Sequence, residues 1–193
     1  NSVAGAGDVN SDGYGDVIIG MYGYDGGAGA DSGRVAIFLG TANGLPTTAN
    51  LTKDGIRAGS NFGVSVAGAG DVNGDGYDDI IVGAYLDTNG SPQEGAFYIF
   101  RGCSTGVLLS GFWSRESDQQ SAYFGASVAG AGDVNGDGYD DVIVGAFGYE
   151  VPPADTEVNT GAAFVYFGSG TGLAKYPEWT GYIGEANAAF GWS

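Results

Sequence analysis

Histidine is absent from the 193 residues, cysteine and methionine occur once each, and lysine plus arginine total 6. Without histidine there is no imidazole to act as general base. A lone Cys103 forms no internal disulfide. It aligns with Thr41 and Ser169 at a repeated turn, which reads as a small-residue position rather than a nucleophile. Six basic side chains are too few to meet a phosphate backbone, so nucleic acid is excluded as a partner. No apolar run approaches the roughly 18 residues of a transmembrane segment. Charged residues make up only 15% while aromatics reach 13%, a composition that supports a folded core rather than disorder.

Acid is abundant instead: 23 Asp and Glu give a formal net charge of -17. Of these, 11 fall in three copies of one nine-residue stretch. The copies run Asp8-Val9-Asn10-Ser11-Asp12-Gly13-Tyr14-Gly15-Asp16, Asp71-Val72-Asn73-Gly74-Asp75-Gly76-Tyr77-Asp78-Asp79 and Asp133-Val134-Asn135-Gly136-Asp137-Gly138-Tyr139-Asp140-Asp141. Side-chain oxygens stand at the first, third, fifth and ninth positions, and glycine at the sixth. Ca2+ takes about six to eight oxygens, and a tight loop can turn alternate side chains inward around it. The seventh-position carbonyls of Tyr14, Tyr77 and Tyr139 complete the expected set. An EF-hand needs an acid at the twelfth position and helical flanks. Here that position is Ile19, Val82 or Val144, inside an apolar strand, which excludes the EF-hand.

The repetition extends beyond the loops. Gly40, Gly102 and Gly168 each open a turn, followed by Leu51, Trp113 or Trp179, then by Phe62-Gly63, Phe124-Gly125 or Phe190-Gly191. Each repeat predicts four short strands. In the second repeat these are Ser65–Gly70, Ile80–Ala84, Ala96–Phe100 and a less regular segment containing Trp113. The Ile80–Ala84 strand is apolar on both faces, as a strand buried between two layers would be. The expected fold is all-β: β-propeller blades of four antiparallel strands. The expected blades are 1–61, 62–123 and 124–189, with 190–193 opening a fourth repeat or closing a seam.

The segment Phe62-Gly63 through Ser65-Val66-Ala67-Gly68-Ala69-Gly70, the acidic loop and Ile80-Ile81-Val82-Gly83-Ala84 resembles the FG-GAP repeat of integrin α-subunit β-propellers and their bacterial relatives. The resemblance covers essentially the whole chain in three copies. It implies one Ca2+ per blade, about three in all, in the loop between strands one and two. The implied ligands are Asp8, Asn10, Asp12, Tyr14 and Asp16; Asp71, Asn73, Asp75, Tyr77 and Asp79; and Asp133, Asn135, Asp137, Tyr139 and Asp141. Two departures stand out. Tyr22, Tyr85 and Phe147 replace the proline of the family name. Asn occupies the third position where Asp is often found, which removes a charge from each loop.

The function expected from this reading is a Ca2+-stabilised extracellular or cell-surface module for adhesion, binding protein or glycan. The connections between strands two and three vary most and carry Tyr22, Tyr24, Tyr85, Phe147 and Tyr149, so they form the expected recognition surface. Asn50-Leu51-Thr52 and Asn89-Gly90-Ser91 are sequons compatible with secretion. An alternative is a self-assembling subunit, since three repeats with an incomplete seam leave blade faces for further copies of the chain. An accessory domain of a polysaccharide-active enzyme is a further alternative. Its candidate acids, Asp25, Asp87, Glu94, Glu150, Asp155 and Glu157, show no catalytic spacing, so the expectation is not an enzyme.

Overall fold

The structure is a computed structural model that describes residues 1–150, 160–182 and 189–192. Its described residues form strands and no helix. In blade 1 these are β1 (Ser2–Gly7), β2 (Asp16–Met21), β3 (Arg34–Phe38) and β4 (Leu51–Asp54). Blade 2 contains β5 (Val66–Gly70), β6 (Asp79–Ala84), β7 (Ala96–Phe100), a small hairpin of β8 (Gly102–Cys103) and β9 (Gly106–Val107), and β10 (Trp113–Glu116). Blade 3 contains β11 (Phe124–Gly132), β12 (Asp141–Ala146), β13 (Ala162–Tyr166) and β14 (Trp179–Gly181). Each blade is a four-stranded antiparallel meander, ordered β1-β2-β3-β4, β5-β6-β7-β10 and β11-β12-β13-β14. Pro152-Pro153, Asp155 and Glu157 lie outside the described residues.

The predicted two-sided burial of the middle strands is found in blade 2, where every residue of β6 and β7 is buried. The alternation of a strand then divides the blade's side chains between its neighbours. Ile80, Val82, Tyr98 and Phe100 join the core shared with Ile18, Val35 and Ile37 of blade 1. Ile81, Phe97 and Ile99 join Val142, Val144 and Phe164 of blade 3.

Small residues on the first strands serve close approach. A Cβ on Gly68 would stand 3.0 Å from the Ala6 carbonyl carbon, and one on Gly130 would stand 2.7 Å from the Gly68 oxygen. The Phe-Gly pairs splice one repeat to the next. Phe62, Phe124 and Phe190 form parallel bridges to Gly33, Gly95 and Gly161 of the preceding repeat. Phe62 and Phe124 then fill the cores between blades, at 3% and 0% exposure.

Three features depart from the expected strands. β2, β6 and β12 begin one residue early, at the ninth loop position, because Asp16, Asp79 and Asp141 are buried there with their oxygens engaged. β11 extends back to Phe124 through a register shift between Phe124 and Ser127. The β8–β9 hairpin was hidden in a turn too short to show a strand pattern.

Candidate metal loops and an aromatic end

The three acidic loops share one geometry. The first-position aspartate folds back over the loop and accepts its amides. Asp8 Oδ2 accepts from Gly13 at 2.8 Å, Asp71 Oδ2 from Gly76 at 2.8 Å and Asp133 Oδ2 from Gly138 at 2.9 Å. Those three glycines have φ of +91°, +88° and +93°, so the sharp bend requires glycine's freedom. The fifth-position carboxylates of Asp12, Asp75 and Asp137 accept the N–H of Tyr14, Tyr77 and Tyr139 at 3.0–3.1 Å. Asn10 and Asn135 donate to Asp12 and Asp137, both at 2.9 Å. Asn73 instead reaches Asp79 at 3.4 Å.

The ninth position behaves differently. Asp16, Asp79 and Asp141 are buried, at 2%, 0% and 0% exposure. Each joins the second loop residue to the turn after strand three. Asp16 accepts from Val9 and Gly40, Asp79 from Val72 and Gly102, and Asp141 from Val134 and Gly168. This bracing was not visible in the sequence, where the ninth aspartate reads only as a ligand. Burial pushes the Asp79 carboxyl up to about 7, against the lowering pull of the Gly102 N–H, with Asp75 adding like-charge repulsion. Asp16 is raised for the same leading reason. Asp133 is lowered, chiefly by the Gly138 N–H.

Among the described residues, no group of three or more acidic side chains is gathered closely enough to cage a metal. The donor chemistry nevertheless fits a hard cation. Each loop offers oxygen donors only, and each carboxylate as a whole keeps acceptor capacity beyond the hydrogen bonds it receives, although Asp71 Oδ1, Asp133 Oδ1 and Asp79 Oδ2 each already accept two. The repulsion of Asp71 and Asp75 on Asp79 is a cost that a divalent charge at the loop would remove.

Adjacent loops are also joined to each other. The eighth-position Asp78 accepts the N–H of Asp8 at 2.7 Å, while Asp78 N–H donates back to the Asp8 carbonyl at 3.3 Å. Asp140 and Asp71 repeat the pair at 2.9 and 3.2 Å. Beside them, Cys103 N–H donates to Val9 and Ser169 N–H to Val72. Cys103 thus acts through its backbone. The second-position valine is covered where a following blade packs on it: Val9 and Val72 are 0% exposed, Val134 55%.

The β2–β3 and β6–β7 connections and the described parts of the β12–β13 connection lie at the opposite end from the acidic loops, as antiparallel order demands. Tyr22, Tyr85 and Phe147, one from each blade, line a cavity of about 330 Å³ with Val64, Ala126 and Trp192. Tyr123 stacks on Phe147 at 4.6 Å and 10°, and Trp192 lies 4.4 Å from Phe147. Tyr123 and Trp192 were missed in the sequence, although both flank a Phe-Gly pair. The other two expected recognition aromatics sit elsewhere. Tyr24 lies under the Arg34 guanidinium at 3.8 Å, and Tyr149 packs edge-on against Phe164 at 5.1 Å.

Three acids of these connections, Glu94, Asp87 and Asp25, are engaged in hydrogen bonds within the protein. Glu94, 1% exposed, accepts the N–H of Asn89, Gly90 and Ser91 at 2.7, 2.7 and 3.1 Å. Asp87, 2% exposed, pairs with Arg57 at 2.8 Å and accepts the Tyr98 hydroxyl. Burial and Asp87 raise the Tyr98 phenol, so it stays a protonated donor. Asp25 accepts from Asp31 N–H at 3.0 Å.

Repeated four-stranded antiparallel blades packed face to face, joined through Phe-Gly bridges, define a β-propeller architecture. The FG-GAP repeat family matches residues 62–100 and 124–166. Integrin alpha-5 of Xenopus laevis is 39% identical over 153 residues, covering 74% of this chain and 14% of the relative. Integrin alpha-V of Gallus gallus is 37% identical over 154 residues, 74% of this chain and 14% of the relative. Integrin alpha-6 of Homo sapiens is 34% identical over 149 residues, 72% and 12%. The chain belongs to the FG-GAP repeat family and is similar to integrin alpha subunits, spanning about one-seventh of the length of the first two relatives.

Proposed function

We propose that this chain is a Ca2+-stabilised adhesion module that works outside the cell and binds a protein ligand through its aromatic end. The observation that carries the reading is the separation of roles along each blade. Carboxylate loops gather at one end, and an aromatic cluster drawn from all three blades gathers at the other. Aromatic anchors rimmed by polar groups suit protein contact, and Tyr22 and Trp192 are 42% and 63% exposed.

In this proposal the Ca2+ ligands are the first, third, fifth and ninth side chains of each loop and the Tyr14, Tyr77 and Tyr139 carbonyls. The ion supplies charge neutralisation, and its binding energy becomes folding energy. The blade assignment 1–61, 62–123 and 124–189 belongs to the same reading. No catalytic role is proposed: Asp87 and Glu94 are committed to buried pairing, and the similarity is to integrin alpha subunits. The test is attachment of cells to the immobilised chain in Ca2+. Attachment is expected to fall in Tyr22→Ala and on chelation. Attachment unchanged by both would refute the reading.

A second reading, association of copies of the chain, is favoured by the outward blade faces. Val3 on β1 is 73% exposed, and a cavity of about 330 Å³ lies over Ile143, Ala163 and Phe190 on blade 3. Sedimentation in Ca2+ separates the two: a sole monomer eliminates self-association.

A further inference from the structure

The rims between blades 1 and 2 and between blades 2 and 3 are built from equivalent positions but closed differently. At the first rim, Arg57 from the segment after β4, Asp87 from the β6–β7 connection and Tyr98 from β7 form an ion-paired triad. Arg57 reaches Asp87 at 2.8 Å and the Tyr98 hydroxyl at 3.4 Å. Only about 90 Å³ of space remains there. Counting from Phe62 and Phe124, and along the strands, the same positions at the second rim are Gln119, Tyr149 and Phe164. No ion triad can form from these three. Gln119 turns to the Glu150 backbone, donating at 3.0 Å and accepting at 2.6 Å. Tyr149 packs on Phe164. A cavity of about 380 Å³ opens between β10 and blade 3.

The lining of that cavity selects a ligand class. Tyr149, Phe164, Tyr166 and Tyr176 contribute aromatic surface. Such rings offer flat apolar faces with polar edges or tips, which match a ring ligand that is apolar on its C–H face and hydroxylated at its edge. The charged lining residues are Arg115, Lys175, Glu116 and Asp118, two of each sign, so the cavity has no net charge to attract an ion. Arg115 is fixed in place by the Leu173 and Ala174 carbonyls at 3.0–3.1 Å. The volume lies within the range of small-molecule sites, about 300–1,000 Å³. We propose that the rim between blades 2 and 3 is a binding site for a neutral sugar ring, independent of the metal loops and of the aromatic end.

The test uses the full chain and methyl glycosides of neutral hexoses, followed by saturation-transfer NMR and titration. Binding is expected with Kd on the order of 1 mM. Tyr176→Ala removes a side chain that is 68% exposed, so the fold should survive. Affinity should drop ~tenfold in that variant, about 1.4 kcal/mol. The triple variant Gln119→Arg, Tyr149→Asp, Phe164→Tyr transplants the blade 1–2 triad and should abolish binding, because it replaces the Tyr149 ring with an ion pair. Asp25→Ala, in the β2–β3 connection of blade 1 and outside the cavity lining, should bind normally. Absence of saturation transfer from every neutral glycoside overturns the site. So does equal affinity in Tyr176→Ala, or a preference for uronic over neutral sugars.

Discussion

Asp78 holds Asp8 by both its side chain and its backbone: its carboxylate accepts the Asp8 N–H at 2.7 Å, and its N–H donates to the Asp8 carbonyl at 3.3 Å. Asp8 opens the acidic loop of blade 1, and Asp78 sits inside the acidic loop of blade 2. The two loops are therefore mechanically one structure, and Asp140 extends the chain of contacts to blade 3 through Asp71. The eighth position of blade 1 is Gly15, which has no side chain to play this part.

Asp78→Ala should therefore destabilise more than the loss of an exposed carboxylate would. It leaves the Asp8 N–H without its charged acceptor, a loss of about 1.5–3 kcal/mol. Urea unfolding of Asp78→Ala and Asp140→Ala should show similar losses. Gly15→Ala, at the matching position with no partner, serves as the control. If the Asp78 variant is no less stable than that control, the bond between the loops contributes nothing.

A paired glycine experiment probes the same contact from the other side. A Cβ on Gly70 would stand 2.1 Å from the Asp140 carboxylate, while one on Gly132 meets nothing within 4 Å. Their φ values are +73° and +68°, so both Ala variants suffer similar backbone strain of roughly 1–2 kcal/mol. Gly70→Ala must also displace Asp140 from Asp71. It should unfold at clearly lower urea than Gly132→Ala, and equal midpoints would contradict the packing described here.

Asp87 is a strong candidate for a large stability effect. Removing it takes the ionic partner from Arg57, which keeps Asn89, and the carboxylate acceptor from the nearly buried Tyr98 hydroxyl, 3% exposed as a residue. Breaking a buried pair from one side costs about 3–5 kcal/mol, and the partial exposure of Arg57 places this case at or below the lower end. Thermal unfolding of Asp87→Ala should show a drop of several degrees, and Asp87→Asn a smaller one because an acceptor remains. A loss under about 1 kcal/mol would mean that water replaces the pair without penalty.

The blades were legible because three copies of one pattern fix each other's register. Two-sided apolar strands such as Ile80–Ala84 and small-residue strands such as Val66–Gly70 appear where the spacing put them. The contacts between repeats were not legible. Asp79 accepts from Gly102, 23 residues away, and Asp78 from Asp8, 70 residues away. A sequence motif shows that an aspartate can donate oxygen to a cation, but not which amides it also accepts. Tyr24 and Tyr149 illustrate the same limit. Both read as recognition residues of one surface, yet Tyr24 is held by Arg34, and Tyr149 packs on Phe164 at the rim between blades 2 and 3, contacts that no short-range pattern links to them.

The proposed metal role leads to a directional expectation along the blades. Without a cation, the carboxylates of each loop repel one another, and Asp79 carries this load while fully buried. Ca2+ that binds the folded loops and not the unfolded chain stabilises by mass action, about 2.7 kcal/mol for one site at a hundred times its Kd. Chelation should lower Tm markedly, and added Ca2+ should restore it. Because loop 1 is anchored to loop 2 through Asp78, and loop 2 to loop 3 through Asp140, removing one ion should loosen its neighbours as well. Asp75→Ala should therefore weaken amide-exchange protection around Gly13 and Gly138 in addition to Gly76. Protection lost at Gly76 alone would keep the metal role but remove the coupling, whereas an unchanged melting curve in excess chelator would remove the metal role itself.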